Sequence, residues 1–145
     1  MRYSETDLQC EDLMWFGADI NGCIFACTSG GIGSVPEFVC RSREETELLE
    51  EFFMEKMPKT TAGILLIPAD GCPLAEDGLL LASKGIFCFD AVTDGEYPDA
   101  YKKIARPETP IKISELPEKI KLILDSHIVN TNIADRSFLK IQHAF

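Results

Sequence analysis

The stretch LMWFGADINGCIFACT, residues 13–28, carries the strongest local signal in this chain. Asn21-Gly22 is the dipeptide most favoured in a two-residue type I′ turn, and the runs on either side are rich in aromatic and β-branched residues. A β-hairpin is therefore predicted, with Ile20 opposite Cys23 across a two-residue loop. Strand alternation then places one set of residues on an apolar, core-facing side: Met14, Phe16, Ala18, Ile20, Cys23, Phe25 and Cys27.

The same geometry predicts the state of two cysteines. Cys23 and Cys27 point to the same side of the strand, about 13 Å apart along an extended backbone. That separation is too long for a disulfide bond between them. Both are predicted to be small apolar residues of the core.

Helix signals follow the hairpin. Pro36 is predicted to begin a short helical turn that ends at Cys40. Ser42 and Glu45 have the spacing of a capping box, which predicts a helix ending near Met57, before Pro58. The buried stripe of that helix is predicted to be Leu48, Leu49, Phe52, Phe53 and Met57. Further helices are predicted over 73–83 and, capped by Ser114, over 115–125, the latter burying Leu116, Ile120, Ile123 and Leu124.

The remaining apolar segments indicate strands. Residues 62–68, AGILLIP, fit a strand and a buried helix equally well. Strands are predicted over 86–92, 101–105, 111–113 and 137–142, with a loop over 93–99 and breaks at Pro107 and Pro110. Because strands and helices do not alternate regularly, a mixed or antiparallel sheet with helices packed on it is expected. Residues 1–145 are therefore predicted to form a single α+β domain that starts with the hairpin.

The chain is acidic. It has 24 acidic and 14 basic residues, a formal net charge of −10. Nucleic acids and anionic membranes need cationic counter-charge, so neither is predicted as a partner. A basic protein partner would be attracted instead. The sequence leaves the oligomeric state open.

Targeting signals and cysteine usage predict a location. No segment approaches the ~20 apolar residues of a membrane span, and the first residues, MRYSETDLQCED, lack a secretory signal. A cytoplasmic protein is predicted, and its six cysteines are expected to be reduced thiols.

Two segments are candidate binding sites. The glycine-rich loop Ser29, Gly30, Gly31, Ile32, Gly33, Ser34 follows a predicted strand, where a phosphate-binding loop would lie. It matches neither the dinucleotide fingerprint nor the P-loop, so a structural loop whose glycines supply positive φ angles is favoured, and ligand binding is the alternative. On the helix ending near Met57, Glu44, Glu47, Glu51 and Glu55 form a second stripe, with Glu50 beside it. This stripe is typical of a solvated helix face, and a docking surface for a partner is the main alternative.

No catalytic residue, metal site or cofactor is predicted. No cysteine lies in a CxxC pair, and both histidines, His127 and His143, lie in the last quarter of the chain. A nucleophilic thiol would need Cys40 or Cys72 to be brought against one of these histidines by the fold.

Three segments resemble a known group of proteins. Residues 15–36 (WFGADINGCIFACTSGGIGSVP), 84–90 (KGIFCFD) and 101–117 (YKKIARPETPIKISELP) are similar to small bacterial proteins of the SMI1/KNR4-like or a related immunity-type family. Such immunity proteins neutralise a toxin by binding it. The resemblance implies a non-enzymatic protein-binding module. The alternative is a small-molecule-binding protein or enzyme that uses the loop at 29–34.

Overall fold

A seven-stranded mixed sheet organises the chain, whose computed structural model describes residues 1–69, 71–92 and 99–145. The strands run in the order β3-β5-β4-β2-β1-β6, and β7 also pairs with β5. Two neighbouring pairs, β2 with β4 and β1 with β6, are parallel, whereas the others are antiparallel. The strands are β1 Met14–Asp19, β2 Ile24–Thr28, β3 Gly63–Leu65, β4 Phe87–Ala91, β5 Ala100–Pro107, β6 Ile128–Val129 and β7 Phe138–Lys140. The predicted single α+β domain with a mixed sheet and an N-terminal hairpin is confirmed.

Five short α-helices of the described residues cover the sheet. They are α1 Glu5–Cys10, α2 Glu37–Cys40, α3 Arg43–Glu51, α4 Pro73–Ala82 and α5 Glu118–Leu124. A π-helical turn, Phe52–Lys56, extends α3, and Met57 is its C-cap, so the helix ends close to where the sequence predicted. None of the described helices is both long and apolar enough to cross a membrane.

The hairpin forms where predicted, but its register differs by one residue. Trp15 pairs with Cys27 and Phe16 with Ala26, so the loop contains three residues, 20–22. The Asp19 carboxylate explains the longer loop, because Oδ1 accepts hydrogen bonds from the Asn21 amide (2.9 Å) and the Cys23 amide (3.0 Å). Gly22 closes the loop at φ +80°, a conformation that favours glycine.

This register makes the predicted core face wrong. Phe16 and Phe25 lie on opposite faces of the sheet rather than on one, since a shift of one residue reverses the side to which a side chain points. Ile20, predicted to be buried, lies in the loop and is 59% exposed. Cys23 and Cys27 do share a face and are buried, as predicted.

Both faces of the hairpin are buried, because separate layers cover the two sides of the sheet. One core contains Trp15 and Phe25 and continues into α2 and the C-terminal segment. The other contains Phe16 and Ile24 and continues into α3, α4 and α5. The hairpin is therefore the central layer of the molecule.

Other segments differ from expectation for local reasons. The open choice at 62–68 is resolved as a strand, β3, and the strand predicted over 101–105 extends to Pro107. Residues 111–113 do not form a regular strand: Lys112 makes one isolated bridge with Cys23, and a 3₁₀ turn spans Ile113–Glu115. Ser114 therefore does not cap α5, which begins after Pro117. Of the loop predicted over 93–99, only Asp99 lies within the described residues.

Two elements were not predicted. Helix α1 is capped by Ser4, whose Oγ accepts from the Asp7 amide (3.1 Å) while the Asp7 carboxylate accepts from the Ser4 amide (2.8 Å). Strand β6 has only two residues and pairs with β1 through Ala18 and Asp19. The second carboxylate oxygen of Asp19 accepts a hydrogen bond from the Ile133 amide (3.0 Å), which attaches the segment after β6 to the hairpin turn.

Candidate functional site: the acidic face of helix α3

Helix α3 presents its glutamates to solvent. The helix begins after Ser42, whose Oγ accepts a hydrogen bond from the Glu45 amide (3.2 Å). Leu49 and Phe53 on its buried side pack into the core that contains Phe16. Glu44, Glu47, Glu51 and Glu55 are all exposed. The solvent-facing position predicted for this stripe is confirmed, and its role as a docking surface stays a prediction.

The cations near these glutamates are few. Glu44 pairs with the N-terminal amino group, and Glu51 Oε1 lies 3.5 Å from Lys56 Nζ. Glu47 Oε1 is 4.0 Å from Arg43 Nη1. The Glu55 side chain forms no hydrogen bond or ion pair with any other described residue. Exposed pairs of this kind are weak, so they leave most of the negative charge available to a partner.

Arg43 is engaged elsewhere. Its guanidinium donates two hydrogen bonds to Glu11, each of 3.0 Å, and lies 3.4 Å from Asp7 Oδ2. The same group lies 4.2 Å from the ring of Tyr3. Arg43 therefore holds α1 against α3, and its charge is already shared among the carboxylates of α1.

Glu50 lies among other carboxylates. This half-buried carboxyl group has a raised pKa, chiefly because burial disfavours its charged form. The negative charges of Glu47, Asp77, Asp12 and Glu55 raise the pKa further. We call the group Glu44, Glu47, Glu50, Glu51, Glu55, Asp12 and Asp77 the acidic face.

Two members of the acidic face were missed by sequence reasoning. Asp12 lies between α1 and β1, and its Oδ1 accepts a hydrogen bond from the Gly30 amide (2.9 Å). Asp77 lies in α4, where burial raises the pKa of its carboxyl group and Glu76 raises it further. Neither residue is near α3 in the sequence, so no periodic pattern could have joined them to the stripe.

The acidic face is not arranged as a metal site. Across residues 1–69, 71–92 and 99–145, no three His, Cys, Asp or Glu side chains converge in a manner suited to a metal ion. What the acidic face can do chemically is attract and hold lysine or arginine side chains, whose charges would relieve the repulsion at Glu50.

The amide groups of the glycine-rich loop are already paired. The Gly30 amide donates to Asp12, and the Gly31 amide donates weakly to Ser29 Oγ (3.4 Å). The amides of Ile32 (3.1 Å) and Gly33 (2.8 Å) both donate to the Ser29 carbonyl. A phosphate-binding loop needs free amide groups that point at the anion, whereas these point inward or at a carboxylate.

The loop instead packs against a buried chain of hydrogen bonds. The Trp15 indole donates to the Tyr101 hydroxyl (3.3 Å), which donates in turn to the Ser34 carbonyl (2.7 Å). A Cβ atom at Gly33 would lie 2.6 Å from the Tyr101 hydroxyl, so glycine is required there by close approach. Ser34 Oγ also donates to Asp99. These contacts give the loop a structural role.

No thiol–imidazole pair forms at the four residues considered. The Cys40 thiol contacts the Val35 carbonyl (3.8 Å), and the Val35 amide donates to His143 Nδ1 (2.9 Å). Burial raises the pKa of Cys40 to about 11, the opposite of what a nucleophile needs. Cys72 caps α4 by accepting from the Ala75 amide (3.4 Å).

His127 is a buried histidine of the core. Its Nδ1 lies 3.0 Å from the Phe16 carbonyl, to which the neutral ring must donate because a carbonyl only accepts. Its Nε2 has no hydrogen-bond partner within the described part of the chain. Burial lowers the pKa of the ring, so His127 stays neutral and packs against Phe38.

Comparison of this chain with family models, with curated proteins and with solved structures finds no match.

Proposed function

We propose that this protein is a non-enzymatic protein-binding module, an inhibitor of the immunity type, that binds a basic partner protein through the acidic face. The observation that carries the proposal is the half-buried Glu50, whose pKa is raised by burial and by four neighbouring carboxylates. Carboxylates held together in this way are stabilised when a partner supplies cations. The net charge of −10 adds attraction at longer range.

The alternative, a ligand site in the glycine-rich loop at 29–34, has less support. The amide groups of Gly30, Ile32 and Gly33 already have acceptors. Two carboxylates contact the loop, Asp12 at the Gly30 amide and Asp99 at Ser34 Oγ, and both repel anions. We therefore place the binding function on the acidic face.

We further propose that the protein works in the cytoplasm. None of the six cysteines is in a disulfide bond. Four of them, Cys23, Cys27, Cys40 and Cys88, are buried in the two cores, where they act as small apolar residues. A reducing compartment keeps them in that state.

The test is a charge reversal with a matched control. Glu47, Glu51 and Glu55 are changed to lysine together, which alters the charge by six units and leaves the buried side of α3 intact. Glu5, Glu108 and Glu118 are also exposed and lie outside the acidic face, so their reversal to lysine changes the same charge at other sites. Both variants should fold, because exposed substitutions usually cost little.

Binding is measured by surface plasmon resonance at several salt concentrations, with the partner isolated on the wild-type protein and with deca-lysine as a defined cationic probe. Reversal on the acidic face should slow association at low salt and remove most of its dependence on salt. The control reversal should reduce the rate much less. Equal effects of the two variants would mean that net charge alone attracts the partner, and the proposal would be wrong.

A proton measurement adds a second criterion. A bound cation favours the charged form of Glu50, so complex formation should release protons at mildly acidic pH. Calorimetry in buffers of different ionisation enthalpy measures this release. The release should disappear in the Glu50→Gln variant.

A further inference from the structure

The outer edge of β5 is divided between two short strands. Strand β7 pairs with Ala100–Lys102, and β3 pairs with Ala105–Pro107. Between them, the Lys103 amide donates to the Ser137 carbonyl (2.8 Å) and the Leu66 amide donates to the Ile104 carbonyl (2.8 Å). The chain segments diverge beyond these bonds and leave a cleft of about 340 Å³. We call it the basic cleft.

The basic cleft gathers positive charge on an acidic protein. Lys102, Lys103, Arg106 and Arg136 line it, four of the 14 basic residues, together with Asp135 and Ser137. The side chains of Lys102, Arg106 and Arg136 form no ion pair with any carboxylate of the described residues. Arg2 and Arg43, by contrast, are paired with carboxylates. The basic cleft therefore has exposed cations that pair with no carboxylate of residues 1–69, 71–92 and 99–145.

Lys103 forms the base of the cleft. It is 7% exposed, and its Nζ donates to the carbonyls of Ile133 (2.7 Å) and Ala134 (3.2 Å). The same ammonium lies 4.9 Å from the Phe87 ring centroid. Burial lowers the pKa of Lys103, and the nearby charge of Arg106 lowers it further, while Asp135 raises it. Asp135 Oδ2 accepts from Asn132 Nδ2 (2.8 Å), which occupies one of its oxygens.

We propose that the basic cleft binds a phosphate monoester. The guanidinium groups of Arg106 and Arg136 match the paired oxygens of a phosphate group, and Lys102 supplies a further positive charge. A volume of about 340 Å³ is at the lower end of the range of roughly 300–1,000 Å³ for ligand sites. It fits a phosphate group with a small attached moiety.

The glutamates of α3 do not cancel this attraction. Helix α3 packs on β1, which is separated from β5 by β2 and β4. Three strand spacings place β1 and β5 roughly 14 Å apart. That distance exceeds the Debye length of about 8 Å at physiological ionic strength, so a small anion at the basic cleft is largely screened from the glutamates of α3. A long nucleic acid would extend beyond the cleft over negative surface.

The test is a calorimetric titration of the full chain with inorganic phosphate, O-phosphoserine and adenosine monophosphate, with serine and adenosine as unphosphorylated controls. The phosphorylated probes should bind, and their unphosphorylated counterparts should not. Arg106→Gln and Arg136→Gln should each weaken binding about tenfold or more, since each removes a charged hydrogen-bonding fork. Arg106→Lys keeps the charge and loses the fork, and should also weaken binding measurably.

The matched control is Lys119→Gln, an exposed cation on α5 outside the cleft. Its affinity for the phosphorylated probes should equal that of the wild type. Equal weakening by Lys119→Gln and Arg106→Gln would overturn the proposal, because the effect would then come from net charge. Absence of binding by all three phosphorylated probes at millimolar concentration would also overturn it. Tighter binding of adenosine monophosphate than of O-phosphoserine would identify a small metabolite as the source of the phosphate group, and the reverse order would identify a phosphorylated protein.

Discussion

Truncation of Phe25 tests the placement of the hairpin at the centre of the molecule. Phe25 is fully buried, and its ring makes edge-to-face contacts with Trp15 at 5.7 Å and with Phe89 at 6.1 Å between centroids. Phe→Ala changes in cores cost about 3–5 kcal/mol, and aromatic pairs of this geometry add about 0.5–1.5 kcal/mol each. Phe25→Ala should therefore lower the free energy of unfolding by about 4–5 kcal/mol, at the upper end of the range for such changes.

The assay is urea unfolding followed by tryptophan fluorescence. Trp15 is the single tryptophan and lies against Phe25, so its emission reports on this core directly. With a slope of about 2 kcal/mol per molar urea, a loss of about 4 kcal/mol lowers the midpoint by roughly 2 M. Because small domains are stable by only about 5–15 kcal/mol, this variant should be close to unfolding in buffer.

Ile20→Ala is the matched control. Ile20 is 59% exposed in the three-residue loop, so the change should cost no more than about 0.5 kcal/mol. A two-residue loop would instead bury Ile20 on the face of Phe25 and make the two truncations similarly costly. Comparable losses for both variants, or a loss below about 1 kcal/mol for Phe25→Ala, would refute the register described here.

Three further results are expected. Titration of the denatured, unreduced protein from its cytosol should return six free thiols, and any disulfide in it would contradict the proposed location. Glu50→Gln should raise the free energy of unfolding at pH 7, because the folded state disfavours the charged form of Glu50 and so raises its pKa. This gain in unfolding free energy should vanish below about pH 4.3, the ordinary glutamate pKa, where Glu50 is protonated in both states. The gain is checked by urea unfolding at both pH values. Lys84→Met should lower the melting temperature, because Lys84 Nζ donates to the carbonyls of Phe53 (2.6 Å) and Met54 (2.9 Å) and its loss leaves them unpaired; an unchanged melting temperature would show that water replaces the ammonium.

The sequence predicted those elements that a local pattern determines. Asn21-Gly22 located the hairpin, and Ser42 with the apolar spacing of Leu49 and Phe53 located α3. The register was missed because the Asp19 side chain, which hydrogen-bonds within the loop, favours three residues there over two. The burial of both faces of the hairpin depends on which strands pair with it, and no local sequence pattern indicates those neighbours.

The candidate site was likewise predicted only where a local pattern determines it. The exposed glutamates of α3 follow from helical spacing and were predicted. Asp12 and Asp77 lie near these glutamates only because of tertiary packing. Tertiary packing likewise brings Arg136 to Lys102 and Arg106 at the basic cleft. Charges brought together from distant segments are invisible to periodicity, because periodicity relates only positions within one segment.

The central position of the hairpin has a consequence for the way the chain folds during synthesis. Strands β1 and β2 leave the ribosome well before their parallel neighbours, Phe87–Ala91 and Ile128–Val129. Pairing between such distant segments is slow, since a long loop must close before any contact forms. Until then the nascent chain exposes the apolar side chains of Trp15, Phe16 and Phe25 on the two faces of the hairpin. This hairpin is consequently the segment at which chaperones would bind the growing polypeptide and at which aggregation would begin. Variants that slow the pairing of β4 or β6 with the hairpin should lower the yield of folded protein without altering its final stability.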